Sequence, residues 1–119
     1  MKLEIVKSPV MLKSQVEIVY ARLNEAPKLY ETDGIKVKEV AVKLFNSNFT
    51  LFVVEYDSNQ RLAFGYMKNE SADDLSEWGY SSIDELIGLG FEMDLYFNDR
   101  VIASDGYISK RGGGRDGTD

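Results

Sequence analysis

The spacing of apolar residues changes along this chain, and the changes mark its elements. From Ser8 to about Asn24, Leu12, Val16, Val19 and Leu23 recur at intervals of four, three and four, which lays one apolar stripe along an α-helix. Val10, Ile18 and Tyr20 widen that stripe, so the helix is expected to pack on a sheet. Ser8-Pro9 supplies a start, because serine caps and proline at the first helical position has no amide to lose. Ala26-Pro27 supplies the stop. Upstream, Lys2 to Val6 alternates weakly and predicts a short strand with Leu3 and Ile5 on one face.

Past the Asp33-Gly34 turn signal the period becomes two. Between Lys36 and Phe45, Val40, Val42 and Leu44 oppose Glu39, Ala41 and Lys43, the pattern of a half-buried strand. Asn46-Ser47-Asn48 turns, and Thr50 to Tyr56 is rich in β-branched and aromatic residues. After the polar loop Asp57 to Gln60, Arg61 to Lys68 returns with Leu62, Phe64 and Tyr66 on one face. These segments predict an antiparallel meander. A polar loop from Asn69 to Leu75 leads to the chain's single tryptophan, Trp78, and to a helix start at Ser82, where the hydroxyl can take the Glu85 amide while the Glu85 carboxylate reaches back. Ile83, Leu86 and Ile87 stripe that short helix, and Gly88 and Gly90 can end it. Phe91 to Phe97 alternates again, Phe91, Met93, Leu95 and Phe97 against Glu92, Asp94 and Tyr96. Val101 to Ser109 predicts an edge strand around Asp105-Gly106. The fold expected is α+β: an antiparallel sheet of about four to six strands, the N-terminal helix on one face, and a short helix near residues 83–88. Residues 1–109 would form the single domain and residues 110–119 a flexible glycine-rich tail.

Composition narrows the chemistry. The 119 residues are 44% hydrophobic, enough for one core, and include no cysteine and no histidine. That removes disulfides, thiolate nucleophiles, zinc thiolate sites and the commonest general base. No run approaches the roughly 20 apolar residues of a membrane span, and Met1 to Lys7 lacks a secretory apolar segment, so a cytoplasmic protein without membrane contact is expected. The net charge of -6 is regional: Glu70 to Asp105 holds ten acids against Arg100 alone, whereas residues 1–69 carry ten bases and eight acids. Direct binding to duplex nucleic acid, which needs clustered Lys and Arg, is not expected. A concentrated negative field suits a basic partner.

Several stretches together resemble the bacterial family known as domain of unknown function 2958. They are Pro27-Lys28-Leu29-Tyr30-Glu31-Thr32, Val42-Lys43-Leu44-Phe45, Asn48-Phe49-Thr50, Val54-Glu55-Tyr56-Asp57 with Arg61-Leu62-Ala63-Phe64-Gly65, Glu77-Trp78-Gly79-Tyr80 with Asp84-Glu85-Leu86, and Glu92-Met93-Asp94-Leu95-Tyr96-Phe97. The resemblance spans residues 27–97. It departs at Ser81, where the family often has an aromatic, and at Met93, where it often has a basic residue. What it implies is a setting rather than an activity: small cytosolic proteins of plasmids, conjugative transposons and phages, with dealings with host replication, transcription or defence machinery.

Two site readings follow. Asp73, Asp74, Glu77, Trp78, Tyr80, Asp84 and Tyr96 combine aromatics with carboxylates, a pairing in which aromatics supply affinity and the acidic rim selects a basic protein partner. On this reading the protein is a non-enzymatic accessory protein, and in its sharper form it blocks a nucleic-acid-binding protein of the host or its defences by imitating spaced phosphates. The alternative is a divalent-metal-dependent enzyme with Glu92, Asp94 and Asp99 as oxygen ligands. Against it, no acid is followed two residues later by lysine anywhere in the chain. Arg61 to Met67 is only faintly like a base-stacking strand, and the Arg111 to Arg115 tail only faintly like an Arg-Gly nucleic-acid contact. No cofactor is expected, and the oligomeric state would be a monomer or a weak homodimer joined at an edge strand.

Overall fold

In the computed structural model, which describes residues 6–112, every position from Thr50 to Tyr56 is buried. A strand hidden on both faces must lie inside a layered fold. This strand, β3 (Phe49–Asp57), is the middle of a five-stranded antiparallel sheet ordered β5-β4-β3-β2-β6. Its companions are β2 (Val42–Phe45), β4 (Leu62–Asn69), β5 (Glu77–Ser82) and β6 (Glu92–Met93). A three-stranded antiparallel sheet, ordered β1-β7-β8, is built from β1 (Lys38–Glu39), β7 (Arg100–Ile102) and β8 (Ile108–Lys110). The helices are α1 (Lys13–Leu23) and α2 (Ile83–Gly88). The fold is therefore α+β, with the helices on one face of the large sheet and the small sheet on the other.

Each face has its own core. Val16, Val19 and Leu23 of α1, with Ile83, Leu86 and Ile87 of α2, meet Val42, Leu44, Leu51 and Val53. Opposite them, Phe52 and Val54 pack with Val40 and Ile102, flanked by Phe64, Tyr66, Trp78, Phe97 and Ile108. A bulge in β3 separates the two patterns. Val53 pairs with Gly65 and Glu55 with Phe64, leaving Val54 as the extra residue. Alternation alone would send Glu55 toward the helices; the bulge turns it to the side of the small sheet.

The structure departs from the sequence pattern at particular places. The first helix starts at Lys13 rather than at Ser8-Pro9, because the Ser8 hydroxyl accepts the amides of Val10 (3.0 Å) and Met11 (2.8 Å) in a turn of its own. Leu12 takes the N-cap position in an extended conformation, and its amide is held by Gln15 Oε1 at 2.8 Å. The single strand expected over Lys36 to Phe45 is two. Val40 donates to the Arg100 carbonyl (3.0 Å) and Ala41 to that of Val53 (2.8 Å), so the chain changes sheets between them. Glu77–Ser82, expected only as the approach to a helix, is a strand. The strand expected over Phe91 to Phe97 pairs only at Glu92–Met93. Beyond it Asp94 turns the chain, its carboxylate accepting the Tyr96 amide at 3.0 Å and its carbonyl that of Phe97 at 3.3 Å. Val101 to Ser109 is a hairpin rather than one strand. The ordered fold continues past residue 109: Lys110 belongs to β8, and Arg111 pairs with Glu39 at 3.1 Å and Asp99 at 3.0 Å. Except for Val6, the strand expected over Lys2 to Val6 lies outside the described residues, as does the tail after Gly112.

Candidate functional site

β5 has β4 as its one neighbour and forms an edge of the large sheet. Its odd-numbered residues Glu77, Gly79 and Ser81 point to the helix side. Trp78 and Tyr80 point the other way and join an aromatic band on β4. Trp78 stacks on Phe64 with centroids 5.6 Å apart and meets Tyr66 edge-on at 5.5 Å, while Tyr80 lies 5.1 Å from Phe64. The Trp78 indole N–H donates to the Ser104 carbonyl at 2.8 Å, tying β5 to the β7–β8 hairpin. Trp78 is half-buried structure, whereas Tyr80 is 50% exposed. A 3-10 turn, Asp73–Leu75, leads into the strand and leaves Asp73, Asp74 and Leu75 exposed beside Glu77. Among the described residues no lysine or arginine forms an ion pair with Asp73, Asp74 or Glu77.

The remaining acids named above lie elsewhere. Asp84, beyond the far end of β5 and so about 17 Å from Glu77 along the strand, receives the Arg61 guanidinium at 3.0 and 3.2 Å and the Tyr20 hydroxyl. Arg61 also lies over the Tyr20 ring at 4.7 Å. Burial, reinforced by the Asp84 hydrogen bond, pushes the Tyr20 phenol far above its ordinary value, and burial pushes Tyr56 nearby up to about 12. This cluster clamps α1 and α2 to the β3–β4 hairpin. Tyr96, 92% exposed, follows β6 at the opposite sheet edge, four strand spacings or about 19 Å from β5. Asp94 there is paired with Lys43 at 3.3 Å, and Asp99 with Arg111. Glu92, Asp94 and Asp99 do not converge: among the described residues no group of three or more acidic side chains could hold a metal ion.

One functional-looking feature escaped the sequence reading. Glu55 is 2% exposed, and its carboxylate accepts the Tyr30 amide (2.8 Å), the Thr32 amide (3.0 Å) and the Thr32 hydroxyl. Lys38 Nζ lies against Thr32 as well, 3.0 Å from its hydroxyl. These bonds hold Tyr30 at a φ of 73°, a conformation side chains rarely adopt. The Tyr80 phenol is raised above its ordinary value, chiefly by interaction with the Tyr30 side chain. Beside Tyr30 a cleft of about 460 Å3 opens between the end of α1 and the β3–β4 turn, with Leu29, Tyr56, Asn59 and Gln60 in its wall. The signal was available: Glu55 is the lone charge in the apolar run from Leu51 to Tyr56.

Comparison with protein-family models, with curated proteins and with solved structures returned no match to this chain. The resemblance to domain of unknown function 2958 rests on the order and spacing of the residues that carry it. No helix among the described residues is long and apolar enough to cross a membrane.

Proposed function

We propose that this protein is a binding module for a basic protein partner and that the β5 corner is its contact surface. The observation that carries this reading is the grouping of Asp73, Asp74 and Glu77, exposed and without cationic partners among the described residues, beside the half-exposed Tyr80. Carboxylates at Asp84, Asp94 and Asp99 are offset by Arg61, Lys43 and Arg111, so these three dominate the local field. Asp84 and Tyr96 fall outside this surface. An anionic rim around an aromatic steers a cationic surface and excludes an acidic one. In the setting that the family resemblance implies, the protein is an accessory factor of a mobile element or phage, and it acts by occupying the nucleic-acid groove of a host or defence protein.

Affinity capture from a bacterial lysate tests this. The wild type should retain one defined protein that is lost with both the Asp73→Lys/Asp74→Lys double variant and Tyr80→Ala. Binding to that protein should weaken by about tenfold or more as salt rises from 50 to 200 mM and should compete with nucleic acid. Retention by both variants, or binding indifferent to salt, would overturn the reading.

A further inference from the structure

We propose that β5 receives its partner as an added strand: an extended segment pairs antiparallel along Glu77–Ser82, carrying a large apolar residue opposite Gly79 and a lysine or arginine two positions later. This deepens the reading above and rests on it.

The backbone argument comes from register. Ile83 N–H donates to the Arg61 carbonyl at 3.0 Å, and Leu62 is paired with Ser82. That geometry makes Leu62–Ser82 a pair without mutual hydrogen bonds. By the alternation of an antiparallel ladder, Ala63–Ser81, Gly65–Gly79 and Met67–Glu77 are then the bonded pairs. The N–H and C=O groups of Trp78 and Tyr80 consequently point away from β4, toward the open edge. Edge strands are usually blunted by lysine, proline, a bulge or brevity. The other edge of this sheet follows that practice, since β6 has two residues and ends at the Asp94 turn. β5 has six residues, pairs with β4 without interruption and contains neither lysine nor proline.

The side-chain argument comes from two glycines. Gly65 and Gly79 lie directly opposite each other. Gly65 has no choice, because a Cβ there would sit 2.1 Å from the Phe52 carbonyl oxygen. Gly79 is different: a Cβ built on it meets nothing within 4 Å. The space beside Gly65 is filled by the β3 backbone, so the open space lies at Gly79 alone, on the helix-side face of the edge strand. A residue on an added strand opposite Gly79 would form a non-bonded pair with it, the kind in which side chains approach most closely. Its side chain would lie over Gly79, where the added strand finds open space. Two positions further along, the incoming residue faces Glu77, with Asp73 and Asp74 beyond, and this fixes its charge as positive. A second copy of this chain fits poorly, because two-fold pairing of β5 with itself would bring Asp73, Asp74 and Glu77 against Asp84 and Glu85 of the other copy.

Fluorescence anisotropy with defined labelled peptides tests this. The probe is a ten-residue peptide alternating threonine and valine, with a central phenylalanine followed two positions later by the first of three lysines. One control has glutamates for the lysines. Another is N-methylated at the alternate amides that would face β5. The protein variants are Gly79→Val, which fills the open space at that position, and Asp73→Lys/Asp74→Lys, each checked by circular dichroism. Binding should fall at least tenfold with N-methylation, with Gly79→Val, with the glutamate peptide and with charge reversal. Loss only on charge reversal would sink strand addition while leaving the acidic docking surface in place. No binding of the lysine peptide at millimolar concentration, or a wild-type dimer in sedimentation that Tyr80→Pro dissociates, would overturn the proposed occupant.

Discussion

Glu55 shows how much one residue can organise. Its carboxylate satisfies two backbone amides and a hydroxyl in a buried setting, and leaving such donors unpaired costs the desolvation of each. Glu55→Gln keeps the shape but offers one acceptor oxygen and an NH2 that faces N–H donors. It should lower unfolding stability by about 3 kcal/mol, read as a reduced urea midpoint with an unchanged slope; a loss below about 0.5 kcal/mol would show that the Tyr30 loop is held by other means. At this scale the sequence was legible only in part. A lone acid in a buried run marks itself, but the bulge at Val54 that decides which way it points leaves no trace in composition. The acidic residues were equally visible, and their compensation was not. Arg61 lies 23 positions from Asp84, and Lys43 lies 51 positions from Asp94, so pairing that removes them from the candidate surface is a property of the fold.

At the scale of elements, strongly periodic segments read well and interrupted ones did not. The spacing of Val16, Val19 and Leu23 in α1, the alternation of β2 and β4 and the β-branched and aromatic run of β3 reflect buried positions. β5 escaped because its helix-side positions are Glu77, Gly79 and Ser81, which carry no apolar signal even though Trp78 and Tyr80 alternate with them. The start of α1 escaped for a related reason, since Ser8 serves a turn before the helix and Leu12, a poor cap, stands where a polar side chain is favoured. Leu12 is 70% exposed, so its apolar contribution is small. Leu12→Asp should therefore stabilise the protein by about 1 kcal/mol by giving the first helical turn an acceptor and a favourable charge. Calorimetry should register a rise of about 4 °C or more; an unchanged or lower melting temperature would contradict the assigned helix boundary.

For the whole molecule, electrostatics and topology act together. The acids of the later half are spread over both edges of the large sheet, α2 and the small sheet, and at the β5 corner Asp73, Asp74 and Glu77 form no ion pair among the described residues and lie near the half-exposed Tyr80. The Tyr20, Tyr56 and Arg61 cluster imposes a separate condition on the folded state as a whole. Both phenols are raised above their ordinary value of 10.0, so the native state holds protons that the unfolded chain releases. Their contribution is fully present below pH 10 and is lost as pH rises through the folded values, each tyrosine adding a slope of up to about 1.4 kcal/mol per pH unit. Urea midpoints between pH 9 and 11.5 should fall steeply, and less steeply for Tyr56→Phe; identical slopes would show that Tyr56 does not contribute. The crossover at Val40–Ala41 bears on how the chain is made. β1 waits for a strand some sixty residues downstream, since Lys38 pairs with Ile102. During synthesis the helix-side core can assemble while Phe52, Val54 and the tryptophan stay uncovered, until Arg100 to Lys110 clear the ribosome and roof them over. That interval is when a nascent chain of this topology most needs a chaperone.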